Sequence, residues 1–474
     1  MRKRITDKKN WAIIGGITII VLVLFYPIVF EGKTFGSPDS LNPRSSSIIL
    51  EQSRKTDGQF PLWQPWIFSG MPTADAFTYI SSLYFPNYVL NLLFKSSHLT
   101  QLLHLIFSGL GGFVFLRFLG LSRIVAFMGG TAFMITPFMI TMIVFGHGSQ
   151  MMTAAYIPWI MFLTTKVMQK PIMFNVGLLA ILIGLQLQRA HVQIAYYTWM
   201  LAGAFVLFTF ISTYKVPEKR NNSLYGLGGF AIAALLGFGI SLLIYLPSLE
   251  YTSYSVRGGG VSGGADYNYA TSWSFSPKEL LTFIIPSALG FGGQTYWGNM
   301  PFTDYPNYMG IVILVLAAFG FVHRRDPLMW FLLGTSILAI FISFGKNLSI
   351  IYDIFYSFFP YFNKFRVPAM ILILVQFNTS VMAALGLNYL LTLHKHVIPR
   401  WFWTCTGVLV FVLLILTFGQ SFLQQLVSSG FTQPRTQDPR TIQAINTLRW
   451  DMWLKDAWTM VLILAAFIGL TWAF

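Results

Sequence analysis

The chain is a succession of apolar runs, each close to the ~20 residues that a helix needs to cross a bilayer, with Pro, Gly and charge collected in the gaps between them. The runs cover 11–30, 99–119, 124–145, 149–166, 172–189, 192–212, 224–248, 306–323, 328–343, 367–391, 401–420 and 456–474. A mean hydropathy of +0.62 and a charged fraction of 10% leave too little polar material to wrap a soluble core. An ordinary soluble domain carries roughly 25% charged residues. The expected fold is therefore an all-α integral membrane protein of about twelve transmembrane helices. It would form one polytopic domain over 1–474, with no internal repeat and no separate soluble domain.

The basic residues orient that fold. With a cytoplasmic N-terminus, the inside loops are 1–10, 117–123, 166–171, 213–223, 323–327 and 392–400. They hold sixteen of the 31 Lys and Arg residues but only three of the 16 acidic ones, Asp7, Glu218 and Asp326. Cytoplasmic loops of membrane proteins carry this excess. The N-terminal stretch MRKRITDKKN with the apolar run Trp11–Phe30 resembles a signal peptide superficially. Its apolar part is too long, however, and no small-residue cleavage site follows, so it reads as an uncleaved first helix. The net charge of +15 does not indicate a nucleic-acid partner, because the basic residues form no single face. A single cysteine, Cys405, permits neither an internal disulfide nor a Cys-based metal site.

Loop length is asymmetric. The inside connectors are short, whereas the opposite side holds long segments at 31–98, 249–305 and 421–455 and a shorter one at 344–366. Long irregular segments are uncommon unless functional. Two stretches, Ser276–Pro286 and Leu348–Phe359, have the pattern of helices lying along the membrane surface. The chain stops at Trp472-Ala473-Phe474 without a polar tail, as a piece of a longer protein would.

Charges at membrane depth are costly, so the informative ionisable residues lie at outer helix ends and in outer loops. Asp39 follows the first helix in GKTFGSPDSLNPR; a carboxylate there suits a general base or a metal ligand, and equally a turn or helix cap. Further along, FPLWQPWIFSGMPTAD suggests a tightly folded loop with Trp63 and Trp66 at the interface. Arg189 and His191, in LQRAHVQ, and Lys364 and Arg366, before the tenth helix, are cations at the outer level. Arg matches phosphate with a planar donor fork, although snorkelling to lipid head groups is the simpler role. His147 in FGHGSQ, Gln193, Glu250 and Asp304 are further polar candidates for holding a sugar or an acceptor. The glycine-rich segment Arg257–Asp266 lacks the ending of a phosphate-binding loop and reads as a flexible lid. Tyr267, Tyr269, Trp273, Tyr296 and Trp297 could stack on sugars or form an interfacial belt.

The long first outer loop with an early Asp, the Pro-Leu-Trp-x-Pro stretch ending in Gly-Met-Pro, and the element Phe359-Pro-Tyr-Phe-Asn-Lys-Phe-Arg-Val-Pro368 together resemble the bacterial YfhO-like membrane proteins. These in turn resemble the GT-C class of glycosyltransferases. The resemblance implies a protein of the bacterial inner membrane that takes a sugar from a polyprenyl-phosphate carrier, on the extracytoplasmic face, to a cell-envelope polymer, lipid or protein acceptor. It maps the acidic residue of the first outer loop onto Asp39 as catalytic base, with Arg189, His191, Arg366, His147 and Glu250 as substrate-binding candidates. A divalent metal is compatible with that chemistry, although Ser40 stands where the class usually has a second adjacent acidic residue. Two other functions fit the residues: a lipid-linked-sugar flippase or transporter, for which His104 is the clearest intramembrane ionisable group, and a non-catalytic envelope assembly protein.

Overall fold

The computed structural model describes residues 8–473 except 60, 67–68, 74–82, 94–96, 259–263, 394–399 and 435; the side chains of 8–9, 42–44, 93, 97 and 400 are likewise not described. Of the charges that orient the topology, Arg2, Lys3, Arg4, Asp7 and Lys395 lie outside the described residues, as does the centre of the glycine-rich segment Arg257–Asp266. Among the described residues the chain is mainly helical with almost no strand, and it divides into two compact units, 1–135 with 139–266, and 136–138 with 267–474.

The first unit runs through α1 (Lys8–Leu24), α2 (Tyr26–Val29), α3 (Pro38–Asp57), α4 (Asn87–Leu93), α5 (Ser97–Phe118), α6 (Arg123–Met134), α7 (Pro137–Val144, in this unit from Met139 on), α8 (Gly148–Ala154), α9 (Ile157–Gln169), α10 (Met173–Gln188), α11 (Val192–Tyr214) and α12 (Pro217–Thr252). Its main pairings are α5 with α6 and α10 with α12. Both depend on glycine: a Cβ on Gly112 would lie 2.7 Å from the Cα of Gly130, and one on Gly237 2.5 Å from the Ile183 side chain. Small residues let apolar helices approach closely where no hydrophobic force drives them together. Pro137 divides one apolar run into α6 and α7, which meet at 44°, because proline lacks the N–H that would continue the helix.

The second unit contains α13 (Tyr267–Ala270), α14 (Ile311–Arg324), α15 (Pro327–Ser343), α16 (Ile350–Phe358), α17 (Leu372–Leu390), α18 (Arg400–Phe418), α19 (Gln420–Ser428) and α20 (Pro439–Ala473). Its centre is α17, buried from Leu372 to Leu387 against α14 and α15. Inside this core the Asn378 Nδ2 donates to the hydroxyls of Thr335 and Ser336, at 3.0 and 3.1 Å.

Among the described residues, six helices are long and apolar enough to cross a membrane, or seven if α6 and α7 count as one bent span. Four further apolar helices, including α10, α14 and α15, are shorter. The long helices turn apolar side chains outward: Leu235 and Leu243 on α12, Phe411 on α18, Leu462 and Leu470 on α20 are all exposed. Two of them outrun a bilayer. At ~1.5 Å per residue, α12 with 36 residues and α20 with 35 exceed the ~30 Å hydrocarbon layer. Hence the expected connector at 213–223 is helical from Pro217, and the expected loop 421–455 is instead α19 followed by the polar first half of α20.

The other outer segments are also more ordered than their composition suggests. Residues 38–57 of the first form a 20-residue helix, and Trp63–Gln64 pairs antiparallel with Met71–Pro72. Gly70, at φ +115°, closes this hairpin under the Trp63 ring, which a Cβ would approach to 2.5 Å. The expected surface helix at Ser276–Pro286 is a short 3₁₀ turn, Pro277–Phe283, with Glu279 buried. Leu348–Phe359 does form a helix, α16, with Tyr352 and Phe355 inward and Ile350 and Phe358 exposed.

Candidate functional site

Asp39 begins a helix. Ser37 caps α3, its hydroxyl accepting from the Ser40 N–H at 3.3 Å, and Pro38 takes the first helical position. Asp39 therefore sits in the first turn, where the unpaired N–H groups favour a carboxylate. Its Oδ2 lies 3.3 Å from Nε2 of His147. That histidine stands just before α8 and is delivered by Gly146, whose φ of +87° is left-handed. A Cβ on Gly146 would fall 2.5 Å from the Asp39 carbonyl carbon and the Ser40 nitrogen, so the α7–α8 turn packs directly on the start of α3. The pair remains open to water, with 61% of the Asp39 side chain and 40% of the His147 side chain exposed.

His191 caps α11 through Nδ1, which accepts the Ile194 N–H at 3.4 Å. Acceptance fixes the tautomer: Nδ1 is bare and Nε2 carries the hydrogen. Burial, and then the charges of Arg257 and His147, push its pKa from 6.5 down to about 3. Asp39, His147, His191 and Arg257 thus share one electrostatic neighbourhood within the first unit.

Arg189 does not join them. The residue between it and His191, Ala190, is left-handed at φ +59°, and the two side chains enter different surroundings. Expected at the water–lipid boundary, Arg189 is instead 3% exposed, with its guanidinium 4.3 Å from the centre of the Tyr84 ring. The Tyr84 hydroxyl bonds His104 Nε2 at 2.7 Å and the Tyr156 hydroxyl at 2.5 Å. Because His104 Nδ1 faces the Thr100 carbonyl at 2.7 Å, it must donate there. Nε2 then accepts from Tyr84, and Tyr84 accepts from Tyr156. This directional chain has no water-facing end, and burial raises the Tyr84 pKa against the opposing effect of Arg189. Gln193 bonds the Tyr197 hydroxyl at 2.9 Å, inside the helix packing. Glu250 is exposed near the end of α12, and its carboxylate bonds no described residue.

The remaining candidates belong to the second unit. Arg366 donates to the Tyr269 hydroxyl at 3.1 Å and lies over the rings of Tyr269 and Trp273, at 5.3 and 5.8 Å. The backbone fixes this nest: the N–H of Val367, left-handed at φ +59°, donates to the Ala270 carbonyl at 3.1 Å. Tyr267 donates to Asp353 Oδ1 at 2.7 Å, and burial with that carboxylate raises its pKa to about 12. Lys364 and Asp304 are half-buried, and each has an interaction within the protein.

Two charged residues in this unit are sealed. Glu279, 1% exposed, accepts the Ser276 N–H at 2.6 Å and the Tyr296 hydroxyl at 2.5 Å, and burial raises its pKa. Arg449, 2% exposed, donates to the carbonyls of Thr295, Thr432, Gln294 and Tyr296 and to Asn446 Oδ1. Neither was among the expected site residues. The Ser-x-x-Glu spacing of Ser276 and Glu279 is a readable helix-start signature; Arg449 has no comparable signal. Among the described residues, no three His, Cys, Asp or Glu side chains gather as a metal site, so Asp39 and His147 stand as a pair.

The structure defines an all-α protein with long apolar helices and an exposed carboxylate–imidazole pair in its first unit. No protein-family model matches the chain, and no curated protein matches it.

Proposed function

We propose that this chain is a GT-C-like membrane glycosyltransferase of the YfhO-like kind, which moves a sugar from a polyprenyl-phosphate carrier to a cell-envelope acceptor. In this reading about twelve segments cross the bacterial inner membrane. The N-terminus is cytoplasmic and Asp39 faces outward. The observation that carries the reading is the 3.3 Å contact between Asp39 and His147, water-accessible and held by two helix starts. The His147 Nε2–H orients the carboxylate. As the acceptor oxygen bonds to the anomeric carbon, its proton passes to Asp39. The bond from that carbon to the carrier phosphate breaks, the electron pair leaves with polyprenyl phosphate, and configuration inverts. A neutral His191 offers an N–H donor, and Arg257 takes the phosphate-binding part that Arg189, buried under Tyr84, does not. A planar guanidinium suits a phosphate that gains charge as it leaves.

The test is transfer by the purified protein in lipid, with radiolabelled polyprenyl-phosphate sugars, alongside Asp39→Asn. General-base removal should lower the rate by about 10²–10⁴-fold with thermal unfolding unchanged. Equal rates would remove Asp39 as base. Sidedness is read by Asp39→Cys in a Cys405→Ser background: labelling from the cytoplasmic side alone ends the proposal. One observation favours transport as the second reading, namely the buried Tyr156–Tyr84–His104 chain; flux of lipid-linked sugar in liposomes without transfer would support it.

A further inference from the structure

We infer that α16 is a membrane-docking helix, seated in the head-group layer of a leaflet that carries anionic phospholipid. Ile350, Ile354 and Phe358 stand four residues apart, on one face of the helix. They are 70%, 47% and 81% exposed. Leu348 before the helix, and Phe359 and Tyr361 after it, extend this apolar surface. Contiguous exposed apolar residues mark a contact with a membrane or another protein. Position and charge select the membrane. α15, read as a crossing segment, ends at Ser343 and α16 begins at Ile350, with the 3₁₀ turn Gly345–Asn347 between them. Lys346 in that turn is exposed, and a lysine can lay its stem on apolar surface with the ammonium at phosphate level. Asp353, the one acid between Phe344 and Arg366, is turned away, its Oδ1 accepting from Tyr267 at 2.7 Å. An apolar row edged by a cation and free of exposed acid is the pattern of helices that bind anionic lipid surfaces.

The opposite face is already packed. Tyr352 and Phe355 are buried, and Phe362 lies against their rings at 5.6 and 5.5 Å. Tyr267 meets the rings of Tyr352 and Tyr356 edge-on, at 6.2 and 5.3 Å. The turn before the helix is pinned as well. The Lys346 N–H donates to Ser274 Oγ at 3.1 Å, and the Asn347 amide donates to the carbonyls of Ser274 and Phe275 at 3.0 and 2.9 Å. Inner face and leading turn thus fix α16 and leave the outer row for lipid. A helix ordered in advance has less entropy to lose on docking. The inference rests on α15 crossing the membrane; the transferase chemistry plays no part in it.

The experiment attaches an environment-sensitive fluorophore to Ile350→Cys or Phe358→Cys, each in a Cys405→Ser background. The labelled protein is placed in nanodiscs of phosphatidylcholine and phosphatidylglycerol. Doxyl-labelled lipid should quench both labels, and iodide in the water should quench them far less than it quenches the free dye. Doxyl-phosphatidylglycerol should quench more strongly than doxyl-phosphatidylcholine, by up to about fivefold, the worth of one lysine near a charged surface. Lys346→Gln should bring the two lipids level. Iodide quenching equal to that of the free dye would overturn the docking. Labels shielded from iodide yet untouched by doxyl lipid, or shielded only in discs that hold two copies, would put protein on the row and overturn it too. Equal quenching by the two lipids with Lys346 in place would overturn the preference for anionic lipid. Sugar transfer is read in none of these arms, so either proposal can fail while the other stands.

Discussion

Two carboxylates, one in each unit, sit at helix starts and meet the same problem with opposite results. Glu279 is closed off, with one oxygen on the Ser276 N–H and the other on Tyr296. Asp39 is open, with one oxygen near His147. Both places favour negative charge for the same reason, the unpaired N–H groups of a first helical turn. Position at a helix start therefore does not separate a structural carboxylate from one free to act. Access does: an acid whose oxygens are both engaged and buried is out of reach of a substrate's proton.

Truncation should separate them most sharply. Glu279→Ala leaves the buried Ser276 N–H and the half-buried Tyr296 hydroxyl without this acceptor, each costing about 1–3 kcal/mol when water does not replace it. The loss should total several kcal/mol and appear as a large drop in the thermal midpoint of the detergent-solubilised protein. Asp39→Ala removes one exposed side-chain contact, worth at most about 1 kcal/mol even as an ion pair, and should barely move the midpoint. Equal losses from the two substitutions would break the comparison.

A smaller effect probes how the open pair is held. Gly146→Ala places a Cβ against the Asp39 backbone at a left-handed position, and strain of this kind costs about 1–3 kcal/mol. Transfer should fall with it, because the turn that presents His147 must retreat from α3. Full activity in Gly146→Ala would mean that the 3.3 Å contact is not needed.

The helices were legible in the sequence because apolar runs of spanning length have few other uses. Sequence pattern and structure part where a polar stretch is nevertheless regular. The stretch Pro38–Asp57 is charged and serine-rich, yet it is one helix, and its Ser37-Pro38 start was the available signal. Residues 439–455 read as loop because Arg440, Arg449, Asp451 and Lys455 interrupt them, although helix propensity tolerates such residues well. Asp39, His147 and His191 were each visible as polar residues near helix ends. That the first two touch, and that Arg189 turns away from His191, depends on Gly146 and Ala190 at positive φ. Backbone choices of that kind follow from packing between distant segments, which no local pattern encodes. Glu279 could have been placed by its spacing from Ser276; Arg449 could not, because its acceptors are backbone carbonyls, and any residue can supply those.

Acidity supplies the finest distinction between the two units. His191 titrates near 3 in the folded chain against 6.5 for the ordinary imidazole. Between those values the unfolded chain binds the extra proton, so this contribution is complete above pH 6.5 and is lost as the pH falls toward 3. Glu279 behaves in the opposite sense. Burial raises its pKa above 4.5, so the folded state keeps a proton that the unfolded chain releases. Its contribution is complete below pH 4.5 and declines as the pH rises through the folded value. Thermal midpoints from pH 4 to 8 for the wild type, His191→Asn and Glu279→Gln would resolve the two slopes. Asparagine preserves the cap of α11, so His191→Asn should remove part of the acid-side loss without unfolding the helix start. Glu279→Gln should remove part of the decline toward neutral pH. If both variants track the wild type at every pH, neither group is held in the protonation state that its surroundings dictate, and the contrast between an open and a sealed site loses its electrostatic basis.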